Sequence, residues 1–116
     1  MSDAGLHDIP DAAALVEAVR EFHERDVMAA TEGRVQFHAR VAVNVLGMVE
    51  REIRLGPDQR AAHERGLAEL AVADEQELAD AIRNGALDDR LDDVRAFVTE
   101  TVRAKLLVAN PKYLQP

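Results

Sequence analysis

The 116-residue sequence contains no cysteine and no tryptophan, and only 3% of its residues are aromatic. Without cysteine, disulfides, iron–sulfur clusters, thiolate zinc sites and cysteine nucleophiles are excluded. The one serine, Ser2, lies in a predicted tail, so we do not expect a Ser-His-Asp hydrolase. Because aromatic residues are scarce, a core must be built from Leu, Val, Ile, Met and Ala.

Cofactor and metal motifs are incomplete. His23 and His63 each precede a glutamate, as in the HExxH zinc motif, but Val27 and Leu67 stand where the second histidine is required. No glycine-rich phosphate loop occurs, and the acidic run 88–93 lacks the glycine and closing glutamate of a calcium loop. The sequence therefore predicts no metal and no cofactor.

Long apolar segments are also missing. The longest nearly apolar run, 41–49, is far shorter than the roughly 20 residues that span a bilayer. The first ten residues lack the basic and apolar regions of a secretory signal. A net charge of −8 disfavours nucleic acid and anionic membranes as partners. We therefore expect a cytoplasmic protein that binds neither.

Apolar residues recur at three- and four-residue spacing, which predicts an all-α fold. We expect a compact bundle of four to five helices, mostly antiparallel, with short connections. Residues 1–9 are predicted to be a flexible tail and 10–116 a single helical-bundle domain. The predicted helices run over about 10–30, 34–55 (ended by Gly56-Pro57), 57–72, from Asp74 to Asn84-Gly85, and from Asp88 or Asp89 to 109.

Each predicted helix has an apolar side that we expect to be buried. These residues are Leu15, Val16, Val19, Phe22 and Val27 on the first helix, Leu67 and Leu70 on the third, Leu78, Ala81 and Ile82 on the fourth, and Leu91, Val94, Val98, Val102, Leu106 and Ala109 on the last.

Charge is distributed unevenly along the chain. Segments 1–32 and 66–100 carry −6 and −7, whereas 33–65 and 101–116 carry +2 and +3. The basic segments either pair with the acidic helices, each exposed pair contributing about 0–1 kcal/mol, or together form an anion-binding surface.

Several polar residues fall among the predicted apolar sides. Thr101 and Lys105 lie in the stripe of the last helix, His38 lies in the sector of Val41, and His23 lies beside apolar residues of the first helix. One interpretation is that they are hydrogen-bonded or reach solvent. The other is that they line a polar pocket, where a lysine would serve as a base or an anion anchor.

Several short motifs resemble a bacterial family of small domains of unknown function. The resemblance spans about 14–114 and rests on Gly33-Arg34, Phe37, Arg40-Val41-Ala42, Asn44, Leu87-Asp88-Asp89, 102–106 and 109–114. It implies genes that lie beside aminoglycoside-phosphotransferase-like kinases and acyl-CoA dehydrogenases, with no established activity. The resembling proteins usually have apolar residues at the positions of His23 and His38, which argues against a histidine-based mechanism.

Our leading hypothesis is a non-enzymatic accessory protein that binds a partner, either a phosphotransferase-like kinase or an acyl-CoA dehydrogenase encoded nearby. The first alternative is a protein or enzyme that binds an anionic phosphorylated or CoA-linked metabolite near Lys105. The second is a structural homo-oligomer, such as a homodimer, formed through Val43 and Leu107. The candidate contact residues are the polar positions that the resemblance marks: Arg34, Arg40, Asn44, Arg103, Lys105, Asn110 and Tyr113.

Overall fold

The computed structural model describes residues 9–116, and these residues form helices and turns without a strand. The all-α prediction is confirmed. Of the predicted tail, residues 1–8 lie outside the described residues, and Ile9 is 95% exposed. The α-helices are α1 (Ala12–Phe22), α2 (Met28–Ala30), α3 (Gly33–Glu69), α4 (Glu75–Arg83) and α5 (Leu91–Ala109); a π-helical turn covers His23–Val27, and 3₁₀ turns cover Asp88–Arg90 and Pro111–Leu114.

The chain divides into two compact units. The first unit ends at Pro57, and the second comprises Asp58–Pro116. The division falls inside α3, so each unit uses one part of this helix for its own packing.

The predicted helix end at Gly56-Pro57 is wrong, because α3 continues through both residues. A proline inside a helix loses one backbone hydrogen bond and costs roughly 3 kcal/mol, but its fixed φ is itself helical. Hydrogen bonds and packing on both sides of Pro57 outweigh this local penalty. The stop signal coincides instead with the division between the two units.

In the first unit, α1 begins where the sequence predicts and packs beside α3. The carboxylate of Asp11 accepts a hydrogen bond from the backbone N–H of Ala14 at 3.0 Å, which caps the helix. Arg20 of α1 pairs with Glu50 of α3. The Gln36 amide donates to the carbonyl of Met28 at 3.0 Å and closes the turn before α3.

The predicted inner face of α1 is wrong at three positions. Leu15, Val19 and Phe22 are 48–55% exposed, whereas Ala13 is buried. A small alanine allows the helix backbones to approach closely, and Arg20 extends from nearly the same side of α1 to reach Glu50. The larger apolar residues are therefore turned away from α3.

The second unit has a core of five buried side chains with Val72, Ala81 and Phe97 packed around it. Leu67 and Leu70, the predicted anchors, are both buried, which confirms their assignment. The buried set is Leu67, Leu70, Leu78, Leu87 and Val94.

The bounds of α4 are confirmed, whereas the start of α5 is not. Asp74 accepts from the N–H of Glu77 at 2.8 Å, as the predicted cap requires, and Asn84 ends α4. The helix buries Leu78, but Ile82 is 40% exposed rather than inward. Residues 88–90 form a 3₁₀ turn, and α5 begins at Leu91 without a side-chain cap.

The predicted buried stripe of α5 is displaced by about a quarter turn of the helix. Leu91, Val98 and Val102 are 43–50% exposed, and Ala109 is also exposed. Val94 is buried as predicted, and the side that faces the core continues to the half-buried Phe97, which was not part of the predicted stripe. Because apolar residues surround more than half of α5, periodicity alone does not identify the side that another helix covers.

The end of α3 is strained at a non-glycine residue. The N–H of Val72 donates to the carbonyl of Leu67 and that of Ala71 to Ala68, which is the Schellman pattern. This pattern places Ala71 at φ 59°, a left-handed conformation that costs an alanine roughly 1–2 kcal/mol.

We expect Ala71→Gly to raise the free energy of unfolding by about 0.5–1 kcal/mol, measured by urea denaturation. Unchanged or lower stability would contradict this assignment.

Candidate functional site

All seven candidate residues are exposed, and they lie in two groups, one in each unit. Three lie on the first half of α3, and four lie on α5 or in the turn that follows it. The α3 group is Arg34, Arg40 and Asn44; the second group is Arg103, Lys105, Asn110 and Tyr113.

The α3 group borders an exposed row of apolar side chains, which we call the α3 stripe: Phe37, Val41, Val45 and Met48. These four residues are 37–57% exposed. Their spacing of three to four residues places them on one side of the helix, roughly opposite the buried Ala39 and Glu50. At 100° per residue, Arg34 lies within the angular range of the stripe, at its N-terminal end, and Arg40 and Asn44 lie along one edge.

A second row, apolar except for one lysine, runs along α5, and we call it the α5 seam: Leu91, Val98, Val102, Lys105 and Ala109. All five residues are exposed. They recur at intervals of seven, four, three and four residues, which is the pattern of a helix that packs against another helix. Lys105 belongs to this seam, whereas Arg103, two residues before it, projects from a different side of α5.

The turn after α5 presents the aromatic candidate. The N–H of Asn110 donates to the carbonyl of Leu106 at 2.8 Å, and the carbonyl of Asn110 accepts from the N–H of Tyr113 at 3.0 Å. Asn110 thus joins α5 to a 3₁₀ turn that packs against the helix. Tyr113 is 72% exposed within this turn.

Four cationic candidates make no ion pair within residues 9–116: Arg34, Arg40, Arg103 and Lys105. Other arginines do, for example Arg83 with Asp80 at 3.1 Å. Pairing with the acidic helices, the first interpretation of the basic segments, is therefore not observed for these four side chains in the described part of the chain. Their charges remain accessible to another molecule.

Glu50 is the one buried charged residue among residues 9–116, at 8% exposure, and sequence reasoning did not single it out. It receives a hydrogen bond from Nε of Arg20, while Nη1 of Arg20 lies 3.1 Å from Oε1 of Glu24. The hydrogen bond to Glu50, followed by the nearby carboxylates, raises the pKa of Arg20 above its ordinary value. Both charges are thus committed to packing α1 against α3.

His63 is a second residue that the motif search passed over, since it was considered only as part of an incomplete zinc motif. Its Nε2 lies 2.8 Å from Oε2 of Glu75, and its Nδ1 lies 3.4 Å from the hydroxyl of Thr101. The ring also packs against Phe97, with centroids 5.1 Å apart. Because both nitrogens face neighbouring side chains, this arrangement ties α3 to α4 and α5.

Of the four positions predicted to line a pocket, two are exposed and two, His23 and Thr101, are half-buried. Lys105 and His38 are exposed, and His23 is half-buried with Nδ1 2.9 Å from the carbonyl of Val19. A shallow depression beside α2 is lined by Ala29, Ala30, Thr31, Glu32 and Val35, none of which is a candidate residue.

No helix within residues 9–116 has the length and apolar character needed to cross a membrane. Within the same range, no group of three or more histidine, aspartate or glutamate side chains is arranged to hold a metal ion.

Comparison with known proteins identifies a family without an assigned activity. Residues 29–113 match the model of the domain of unknown function DUF6285. No curated protein and no solved structure matches the chain. The match covers most of the sequence and includes all seven candidate residues, and the chain therefore belongs to the DUF6285 family.

Proposed function

We propose that this chain is a non-enzymatic accessory domain that binds a partner protein, and that the partner is a phosphotransferase-like kinase. The observation that carries the proposal is the α5 seam, an exposed apolar row at helix-packing spacing. An exposed row of large apolar side chains on one side of a helix is typical of a surface that another protein covers.

The charge around the seam favours a partner with an acidic surface. Residues 101–116 contain three basic side chains and no acidic one. Lys105 lies within the seam and forms no ion pair in the described part of the chain. Its ammonium group is therefore available to pair with a carboxylate of the partner. Complementary charge of this kind increases the rate of association and the specificity for the partner.

The exposed Tyr113 adds an aromatic side chain at the end of the same segment. Tyrosine is enriched among the residues that contribute most to binding energy at interfaces, because it combines a large apolar area with a hydroxyl group. We propose that Val102, Lys105 and Tyr113 contact an acidic surface of the kinase. The kinase is the partner that the resemblance implies; the seam and its charge support a protein partner in general.

The proposal predicts that Val102→Asp disrupts the complex. Co-expression of the tagged chain with the kinase encoded beside it, followed by co-purification and native mass spectrometry, measures complex formation. We expect Val102→Asp to weaken binding by at least about tenfold, because an unpaired carboxylate would be buried against the partner. Since Val102 is already 49% exposed, the variant should keep the helical circular dichroism of the wild type.

Ala96→Asp is the matched control, because it places the same charge on an exposed position of α5 away from the seam. Equal loss in both variants, or undiminished binding in Val102→Asp, would contradict the surface assignment. Failure of the wild-type chain to co-purify with the kinase would overturn the partner proposal. A bound small molecule lost in Lys105→Met would favour the metabolite-binding alternative.

A further inference from the structure

We propose that two copies of this chain pair through the α3 stripe, with the two α3 helices antiparallel. This inference uses a different surface from the proposed function and does not depend on it. The stripe lies on the side of α3 away from the buried Ala39 and Glu50, so α1 does not cover it. Phe37 and Val45, in the first half of α3, are 57% and 50% exposed, so they present apolar area that a second molecule can cover.

The stripe of one copy matches the stripe of a second, antiparallel copy when the two are related by a two-fold axis near the middle of the stripe. A two-fold axis level with residue 43 brings Val41 opposite Val45 of the second copy. The same axis brings Phe37 close to Met48 of the second copy, with an offset of about one residue along the helix axis. In an isologous contact each such pair occurs twice, so one stripe buries the other along its whole length.

The charges beside the stripe favour a second copy of this chain as the molecule that covers it. They also favour an antiparallel arrangement of the two α3 helices. Arg34 and Glu52 lie nine residues to either side of position 43 and, at 100° per residue, at the same angle as the stripe, one beyond each of its ends. Neither forms an ion pair among residues 9–116. Antiparallel pairing brings each Arg34 opposite Glu52 of the second copy, whereas parallel pairing brings arginine opposite arginine. The helix therefore carries both halves of two intermolecular ion pairs.

Asn44 lies on one edge of the stripe, one residue from the two-fold point. The two copies of Asn44 would lie about 3 Å apart along the helix axis, so their amides could bond across the contact. A single polar residue in an apolar helix contact favours one register over its neighbours. This gives Asn44 a role in setting the register of the dimer.

Sedimentation velocity tests the association. The wild-type chain should sediment at twice its mass of 12.8 kDa, and Val41→Asp should sediment as a folded monomer. Arg34→Glu should raise the dissociation constant by at least about tenfold, because it places two carboxylates opposite each other. The double variant Arg34→Glu with Glu52→Arg restores both ion pairs and should dimerise like the wild type. Arg60→Glu, an exposed position on α3 beyond the proposed contact, is the matched control and should have no effect.

The absence of native cysteine allows a direct test of direction and register. Asn44→Cys should form an intermolecular disulfide on mild oxidation, because its copies lie near the two-fold point. Arg34→Cys should not, since its copies would be about 27 Å apart along the axis. A monomeric wild-type chain at high concentration, a dimer that persists in Val41→Asp, or crosslinking of both cysteine variants would overturn the proposal. A partner helix that occupies the stripe of a monomeric chain would overturn it as well.

Discussion

Replacing Arg20 by methionine should lower the free energy of unfolding by about 3 kcal/mol or more. Methionine retains much of the aliphatic volume of arginine but leaves the carboxylate of Glu50, at 8% exposure, without its hydrogen-bonded cation. An uncompensated buried charge is costly because the surrounding protein solvates it poorly. Urea denaturation followed by circular dichroism measures the loss.

The double variant Arg20→Met with Glu50→Leu distinguishes the charge from the packing. Removing both ions also removes the cost of burying them, so we expect the double variant to recover most of the lost stability. Arg25→Met is the matched control: Arg25 is 72% exposed and lies 3.6 Å from Glu21, and its loss should change stability by no more than about 0.5 kcal/mol. Equal effects of Arg20→Met and Arg25→Met would contradict a structural role for the Arg20–Glu50 pair.

Gly66→Ala should destabilise the second unit by about 2 kcal/mol, although alanine is the better helix former. A Cβ atom at Gly66 would lie 2.5 Å from Cδ1 and 2.6 Å from Cε1 of Phe97. Carbon atoms pack at about 3.5–4.0 Å, so the ring or a helix must move. Phe97 also packs against His63, which restricts how far the ring can shift.

Gly47→Ala provides the comparison within the same helix. There the nearest atom to an added Cβ is Nη1 of Arg51 at 3.3 Å, the end of a flexible side chain. We expect this variant to be neutral or up to about 1 kcal/mol more stable. In the Gly66→Ala background, Phe97→Leu should recover stability by making room for the methyl group. If Gly66→Ala unfolds at the same urea concentration as the wild type, the proposed clash with Phe97 is wrong.

Local chemistry was predictable where one residue and its near neighbours decide the outcome. Asp74 caps α4 where the sequence predicts that this helix starts, and Asp11 caps α1 close to its predicted start, because each carboxylate needs only the backbone N–H three residues later. Asn84-Gly85 ends α4, and Gly85 takes φ 83°, a conformation that favours glycine. These features do not depend on what packs against the helix.

At the candidate site, the sequence identified exposed residues but not what lies next to them. Charge counting and resemblance point to Arg34, Lys105 and Tyr113, and each is exposed. Neither approach indicated that Arg34 borders an uncovered α3 stripe, or that His63 lies between Glu75 and Thr101. Both facts depend on contacts between residues far apart in sequence.

The sequence by itself determined the helical class, the starts of α1 and α4 and the periodic apolar rows, since these follow from short-range hydrogen bonding and from residue spacing. Only the tertiary structure decided which apolar row is buried. On α5 the core takes Val94 and Phe97 and leaves Val98 and Val102 in water, and α3 continues through Pro57 because contacts on both sides outweigh a local cost. Burial depends on the shape and position of the neighbouring helix, and spacing along a single helix carries no information about that neighbour.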